Sequence, residues 1–339
     1  MIEARYHDRV NVLQELFAKG SRASSPFDRA EWYALLAETG LTPLIAIASD
    51  AENAAALALV KDRGRIAPMR NWYSFTWRQL APAGEQGDRL LAEIARQLKS
   101  RGHRVTLEPV PEEDGSASRL AQSFDNAGWR VEVTRCDSNH VLHVNGQSFE
   151  QYWATRPGRL RTTLKRKAKK VETRVFTRFD EAMWDDYEAI YASSWKPTED
   201  HPAMLREFAR EEGAEGRLRF GMAWHEGTPV AAQCWTVEND TAFIHKLAYL
   251  ESARHLSAGT TLSAALFEHV IDIDRVKLVD FGTGDEPYKA DWMNAVRPRY
   301  RIDCLDMKSP RAWVDLARLA LSRLKSSDVP ELAPLPAHR

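Results

Sequence analysis

The sequence predicts an α/β protein of two lobes, and three observations lead there. Its 339 residues exceed one ordinary domain of roughly 100 to 200 residues. Segments with helical apolar period alternate with short apolar runs of strand length. The order then recurs, because the helix starts GDRLLAEI from Gly87 and GTTLSAAL from Gly259 share Gly, Leu and Ala at equal spacing.

Taken in order, residues 3–19 and 28–39 read as helical, and the apolar runs at 43–48 and 54–61 read as strands. A helix is expected over 86–101, with Leu90, Leu91, Ile94 and Leu98 on one face, before the strand VTLEPV at 105–110. PEEDGSAS at 111–118 breaks the pattern. A further helix and strands near 129–135 and 140–144 lead to Asn145-Gly146, a turn taken as the domain boundary. Residues 217–249 read as a three-strand meander broken at Glu226–Pro229 and Asn239-Asp240. A helix from Gly259 to about Ile271 and a strand at 276–282 follow. A last amphipathic helix near 310–325 places Trp313, Leu316, Ala320 and Leu324 on one side for core packing, and the Pro-rich tail beyond it is expected to be loose.

Hydrophobic residues at 44% and charged residues at 28% are ordinary globular usage, which argues against global disorder. The formal charge of -1 leaves no whole-molecule attraction to nucleic acid or membrane. Cys136, Cys234 and Cys304 lie far apart, without the spacing of a disulfide framework or zinc cage, so no metal is expected. Neither an N-terminal apolar leader nor a run long enough to span a bilayer occurs, and the cytoplasm is the expected location. GxxxxGK[ST], GxSxG and HExxH are absent, against NTPase, α/β-hydrolase and zinc-protease readings. DFGTGD opens too short a remainder for a methyltransferase nucleotide fold.

The most informative stretch is Leu247–Phe267, where a strand ends, a small-residue loop follows and a helix begins. Such a junction aims backbone amides and the positive end of a helix dipole at one spot, where a diphosphate binds well. Arg254 adds a cation and Gly259 allows close approach, whereas the matching loop of the first half carries Glu85 and Asp88, which repel phosphate.

Arg254-His-Leu-Ser-Ala-Gly259 resembles the R/Q-x-x-G-x-G/A loop that holds the pyrophosphate of acyl-CoA in GNAT-fold acyltransferases, with Ser257 in place of the first glycine. RLRTTLKRKAKKV at 159–171, SWKPTE at 194–199, HKLAY at 245–249 and DFGTGDEPYKADW at 280–292 extend the resemblance. Together they look like the acetyltransferase domain of CelD-like, cellulose-biosynthesis-associated proteins, which are related to the FemAB aminoacyltransferases. The resemblance covers roughly residues 150–305 and implies tandem GNAT-like units, each a mixed, mostly antiparallel sheet flanked by helices. It implies a non-catalytic lobe at 1–146, a catalytic domain at 147–309 and a C-terminal helix and tail at 310–339. The implied reaction moves an acyl group, acetyl foremost, from acyl-CoA as co-substrate to an amine on a small molecule or glycan, in polysaccharide or cell-envelope metabolism.

Direct attack by an amine on a thioester needs a base, a carbonyl polariser and an acid for the thiolate. The resemblance gives the polariser to a backbone amide between Leu247 and Tyr249, the acid to Tyr288, and the donor phosphates to Arg254, Ser257, Ala258, Gly259 and Thr260. Glu199, His245 and Asp285 are the base candidates, and Asp280 or Asp285 is expected to cap the next helix or orient Lys289. The run Arg159–Lys170, with seven basic residues and an apolar stripe of Leu160, Leu164, Ala168 and Val171, can dock while displaying charge. That run keeps tRNA in view as a second donor, in a FemAB-like transferase, and leaves peripheral membrane contact open; DNA is not expected. A GNAT-fold binding protein without turnover is the third reading.

Overall fold

A computed structural model describes residues 2–18, 23–62, 64–194 and 196–325. In chain order its elements are β1 (Glu3–His7), α1 (Val12–Ala18), α2 (Ala30–Glu38), β2 (Pro43–Ser49), β3 (Ala54–Asp62), β4 (Arg65–Pro68), α3 (Glu85–Leu98), β5 (Arg104–Val110), α4 (Ser116–Asn126) and β6 (Arg130–His143). There follow α5 (Phe149–Ala154), α6 (Gly158–Lys167), β7 (Glu172–Phe176), α7 (Glu181–Ala192), α8 (Pro202–Ala214), β8 (Leu218–His225), β9 (Thr228–Glu238) and β10 (Thr241–Tyr249). The chain continues through α9 (Ala258–Glu268), β11 (Leu278–Thr283), β12 (Ala295–Leu305) and α10 (Pro310–Lys325). None of the helices among the described residues is long and apolar enough to cross a membrane.

The chain forms two compact units, one from residues up to Ser138 together with those from Arg297 onward, the other Asn139–Val296. In the first, the sheet order among described residues is β1-β2-β3-β4-β5-β12, antiparallel throughout except for the parallel pair β4/β5. In the second it is β7-β8-β9-β10-β11-β6, antiparallel except for the parallel pair β10/β11. A parallel pair needs a crossover, and α3 and α9 supply it at equivalent places. The units are therefore the same mixed, mostly antiparallel design used twice, and the repeated Gly-Leu-Ala spacing of the two helix starts marks the same element in each.

Several expectations need correction. Residues 3–19 are not one helix: Glu3–His7 form a strand paired with β2, since Ala4 and Tyr6 alternate with Glu3, Arg5 and His7 at period two. The two strands expected near 129–135 and 140–144 are one, β6. Asn145-Gly146 is a true turn, with φ of 55° and 71°, but it lies inside the second unit and connects β6 to α5. Nor do residues 297–309 stay with the second unit, because β12 completes the first sheet beside β5. On α10 the buried face is Ala312 and Asp315, the latter bonded to Arg65 at 2.9 Å and His103 at 3.1 Å, while Trp313 is 59% exposed. The Ala320 and Leu324 side chains and the tail from 326 fall outside the described residues.

The second unit's core holds Tyr152, Trp235, Phe267 and Trp292, with Phe267 stacked on Tyr152 at 5.4 Å and on Trp292 at 4.9 Å. Each such ring contributes about 1.5–3 kcal/mol by leaving water. The Tyr152 hydroxyl donates to the Trp292 carbonyl at 2.9 Å, which fixes the chain just after the 280–292 motif.

Candidate active site

The site begins where β10 and β11 part. They pair only from Thr241↔Leu278 to Phe243↔Asp280, although β10 runs on to Tyr249 and β11 to Thr283. A bulge at His245 sets the next residue, Lys246, opposite Cys234 of β9, and bulges bend the strand that carries them. Beyond the bulge β10 keeps β9 on one side and has lost β11 on the other. The Leu250 amide donates to the Val230 carbonyl at 2.9 Å, toward β9. Successive amides along a strand point to opposite edges, so those of Tyr249 and Leu247 point into the opening.

At the end of β10 stands the first turn of α9. Ser257 precedes it with φ 54°, a left-handed conformation that costs a non-glycine residue roughly 1–2 kcal/mol and accounts for the glycine usual at this place in the resembling loop. Its hydroxyl accepts from Lys167 Nζ of α6 at 3.1 Å, which brings the end of the basic run to the helix terminus. No side chain caps α9, and its first turn is fixed from beneath: Gln233 donates to the Gly259 carbonyl at 3.1 Å and to Ser263 Oγ at 2.8 Å. A Cβ at Gly259 would lie 3.3 Å from the Tyr249 ring, closer than ordinary contact, so the ring would have to give by a few tenths of an ångström. Arg254 is well exposed and pairs with Glu251 at 3.1 Å. Helix amides without a side-chain cap, a dipole and cations at one place are the chemistry that an anion cradle needs.

The first unit closes the equivalent places with its own chain. Past β4, Trp77 donates from its amide to the Pro109 carbonyl at 2.9 Å and from its indole to the Ala58 carbonyl at 2.8 Å, and it is buried. At the start of α3, a Cβ on Gly87 would run into the Pro82 carbonyl, and Arg119 of α4 ties that carbonyl and Asp88 together at 2.8 Å each. In the second unit α4 has no full counterpart; a single 3-10 turn, Pro287–Asp291, follows β11.

That turn carries Tyr288. Buried Trp292 anchors the segment from behind, and Asp280 accepts from Asn139 Nδ2 at 2.6 Å and the Gly282 amide at 2.7 Å. Lys289 is buried, donates to the Thr283 and Gly284 carbonyls and pairs with Glu286 at 2.7 Å. The residue that orients Lys289 is thus Glu286 rather than Asp280 or Asp285. Tyr288 packs edge-on against Phe281 at 5.7 Å, is 43% exposed, and has no hydrogen-bond partner among the described residues for its hydroxyl. Partial burial of the phenol, with Glu286 and Tyr249 nearby, raises it to about 12. It stays protonated at neutral pH.

On the sheet face that carries α7, Lys246 reaches Glu199. Its Nζ donates to Glu199 Oε1 at 2.5 Å, and the Tyr187 hydroxyl donates to Oε2 at 3.1 Å. Burial lowers the Lys246 ammonium against the pull of Glu199, and burial with Glu199 raises the Tyr191 phenol to about 12. Glu199, Tyr187, Tyr191, Trp184, Lys196 and Leu205 line a cavity of about 290 Å³. A carboxylate with fixed orientation in an aromatic-walled cavity can take an amine and accept its proton.

The other base candidates lie elsewhere. His245 Nε2 is 2.7 Å from Thr236 Oγ1 and its ring meets Phe208 edge-on at 5.0 Å, an arrangement that holds the bulge. Asp285 is 80% exposed and 2.9 Å from Nε2 of buried His140. Lys246, Tyr187, Lys196, His140 and Gln233 were not singled out from the sequence. Lys246 sits within HKLAY and Lys196 within SWKPTE, so both lie inside motifs whose neighbouring residues have the more familiar base chemistry. Nothing in the sequence alone reports that α7 turns Tyr187 toward Glu199.

Residues 158–290 match the family model described as acetyltransferase (GNAT) domain. No curated protein matches the chain. Among solved structures, FemX is 10% identical with a TM-score of 0.63, covering 94% of this chain and 99% of that one. The C-terminal domain of a putative lysylphosphatidylglycerol synthetase from Agrobacterium fabrum is 13% identical with a TM-score of 0.60, over 93% and 96%. A tandem GNAT protein from the clavulanic acid biosynthesis pathway is 14% identical with a TM-score of 0.50, over 89% and 98%. At such identities the likeness is one of fold. The fold is that of tandem GNAT-like units, and the family-model match falls within the second of them.

Proposed function

We propose that the second unit is an N-acyltransferase that takes an acyl group, acetyl foremost, from acyl-CoA to an amine. The opening between β10 and β11, which leads from the α9 cradle to the amides of Leu247 and Tyr249, carries this reading. The amides of Ala258, Gly259 and Thr260 receive the donor diphosphate, with Lys167 and Arg254 as cations, and the pantetheine arm lies along β10. The carbonyl oxygen of the thioester sits on the β10 amides, which bind it better as its negative charge grows. The acceptor nitrogen attacks the carbonyl carbon, a C–N bond forms and the C–S bond breaks. Glu199 receives the proton from nitrogen, and Tyr288 gives one to the departing sulfur. His140 would serve Asp285 as an alternative base on the other side of the 280–292 segment. The CelD-like resemblance supports an acceptor from polysaccharide or cell-envelope metabolism.

Release of CoA thiol from acetyl-CoA with a panel of amines tests the reading. Glu199→Gln keeps the side-chain shape and should lower kcat by about 10²-fold or more, as loss of a general base does. Unchanged turnover in that variant would remove Glu199 from the reaction. A second reading rests on the basic run of α6 beside the cradle: the donor is an aminoacyl ester on tRNA, and the leaving group is a ribose hydroxyl. Calorimetric titration with CoA and with tRNA separates the two, because the tRNA reading requires binding that weakens steeply with salt.

A further inference from the structure

We infer that the amine acceptor carries an anionic group, a carboxylate or a phosphate, and that Lys196 seats it. The inference rests on the acceptor being held in the cavity beside Glu199, and it names the chemistry of what enters.

Two charged side chains other than Lys196, Glu188 and Glu199, line that cavity, and each has its counter-charge. Glu188 accepts from Trp184 Nε1 at 2.9 Å and from Arg206 Nη2 at 2.9 Å. Glu199 is held by Lys246 at 2.5 Å, and Glu286, within electrostatic range of Lys196, is held by Lys289 at 2.7 Å. Lys196 lines the cavity without an ion pair among the described residues. It stands 5.9 Å from the centre of the Tyr191 ring, whose other ammonium neighbour, Lys246 at 5.4 Å, is the paired one. A partly buried ammonium without a counter-ion is costly, and a ligand that brings the missing anion recovers the cost. Burial, Lys246 and Lys289 lower Lys196 to about 8, against the pull of Glu199 and Glu286. Walls of Trp184, Tyr187, Tyr191 and Leu205 suit the carbon frame between the two charges, and about 290 Å³ is room for one amino acid or one sugar residue.

The acceptor is then bound by both ends. Its amine lies toward Glu199, from which the proton leaves, and its anion lies on Lys196. An amine without the anion leaves Lys196 uncompensated and binds weakly.

The test is calorimetric titration of the full chain, without acyl donor, with matched probes: ethanolamine against O-phosphoethanolamine, and butylamine against γ-aminobutyrate. The anionic member of at least one pair should bind ten-fold tighter or more, and which pair shows it distinguishes phosphate from carboxylate. Lys196→Met should erase that preference, Lys196→Arg should keep it, and Lys277→Met, which removes an exposed charge elsewhere in the unit, should not alter it. Because the ammonium form binds the anion, affinity for the preferred probe should fall above about pH 8 in the wild type, with no such fall in Lys196→Arg. Equal affinity within both pairs, no binding by any probe, or a preference that survives Lys196→Met overturns the inference. Since no acyl donor is present, probes that bind as expected but are never acylated would count against the transferase reading and leave the anion seat standing.

Discussion

Tyr288 illustrates how much one side chain can be asked to do. Its ring leans on Phe281 and its hydroxyl is unengaged among the described residues, so Tyr288→Phe removes the hydroxyl proposed as proton donor and leaves the packing. Turnover with acetyl-CoA and a good amine should fall by about 10²-fold, with the melting temperature unchanged. Full activity in the Phe variant would show that the ring is there for packing alone. The sequence made Tyr288 and Glu199 visible because each sits in a motif. Lys246 and Lys196 escaped notice because ammonium groups on a strand and in a loop resemble ordinary surface charge until tertiary structure buries them. His245 offers a suggestive intrinsic pKa in the sequence, and in the structure its ring packs at the bulge against Thr236 and Phe208.

At the scale of elements, α3 and α9 are the same crossover with opposite outcomes. Glu85 pairs with Arg89 and Asp88 with Arg119 at the first turn of α3, whereas α9 presents its first amides without a cap. Gly259→Asp tests this difference cleanly. The new Cβ meets only the Tyr249 ring, and a carboxylate in a first helical turn favours the helix, so the protein should stay folded. The same carboxylate repels phosphate, and a wild-type stoichiometry of one CoA per chain should fall to none by calorimetry. Retained affinity would move the cradle elsewhere. The meander at 217–249 was legible because Glu226, Asn239 and Asp240 adopt left-handed turns where the breaks were read. Edge strands β1 and β7 were not, since a short strand with one exposed face offers few alternations to recognise. Helices α7 and α8, which wall the cavity beside Glu199, are not legible from the apolar period alone. The Asp180 cap that accepts from the Met183 amide at 3.0 Å and the Trp184, Tyr187, Ile190 spacing were the available signals.

For the whole molecule, the division of the sheets is the feature that sequence order conceals. In the first unit β12 pairs with β5 and buries Ile302, Cys304 and Leu305, and the apolar members contribute about 1.5–3 kcal/mol each. A fragment ending at Ser138 should therefore fail to give a cooperative thermal transition by circular dichroism, and addition of a peptide covering 297–325 should restore one. A cooperative melt of the short fragment alone would show that the β5 edge needs no partner.

The place of β12 also decides when this protein can fold during synthesis. Ordinarily the N-terminal domain of a chain finishes first on the ribosome. Here the strand that completes the first unit is translated after every residue of the second, because Arg297 follows Val296. The second unit can close while the lobe that emerged before it still waits, its β5 edge exposed, for β12 to arrive.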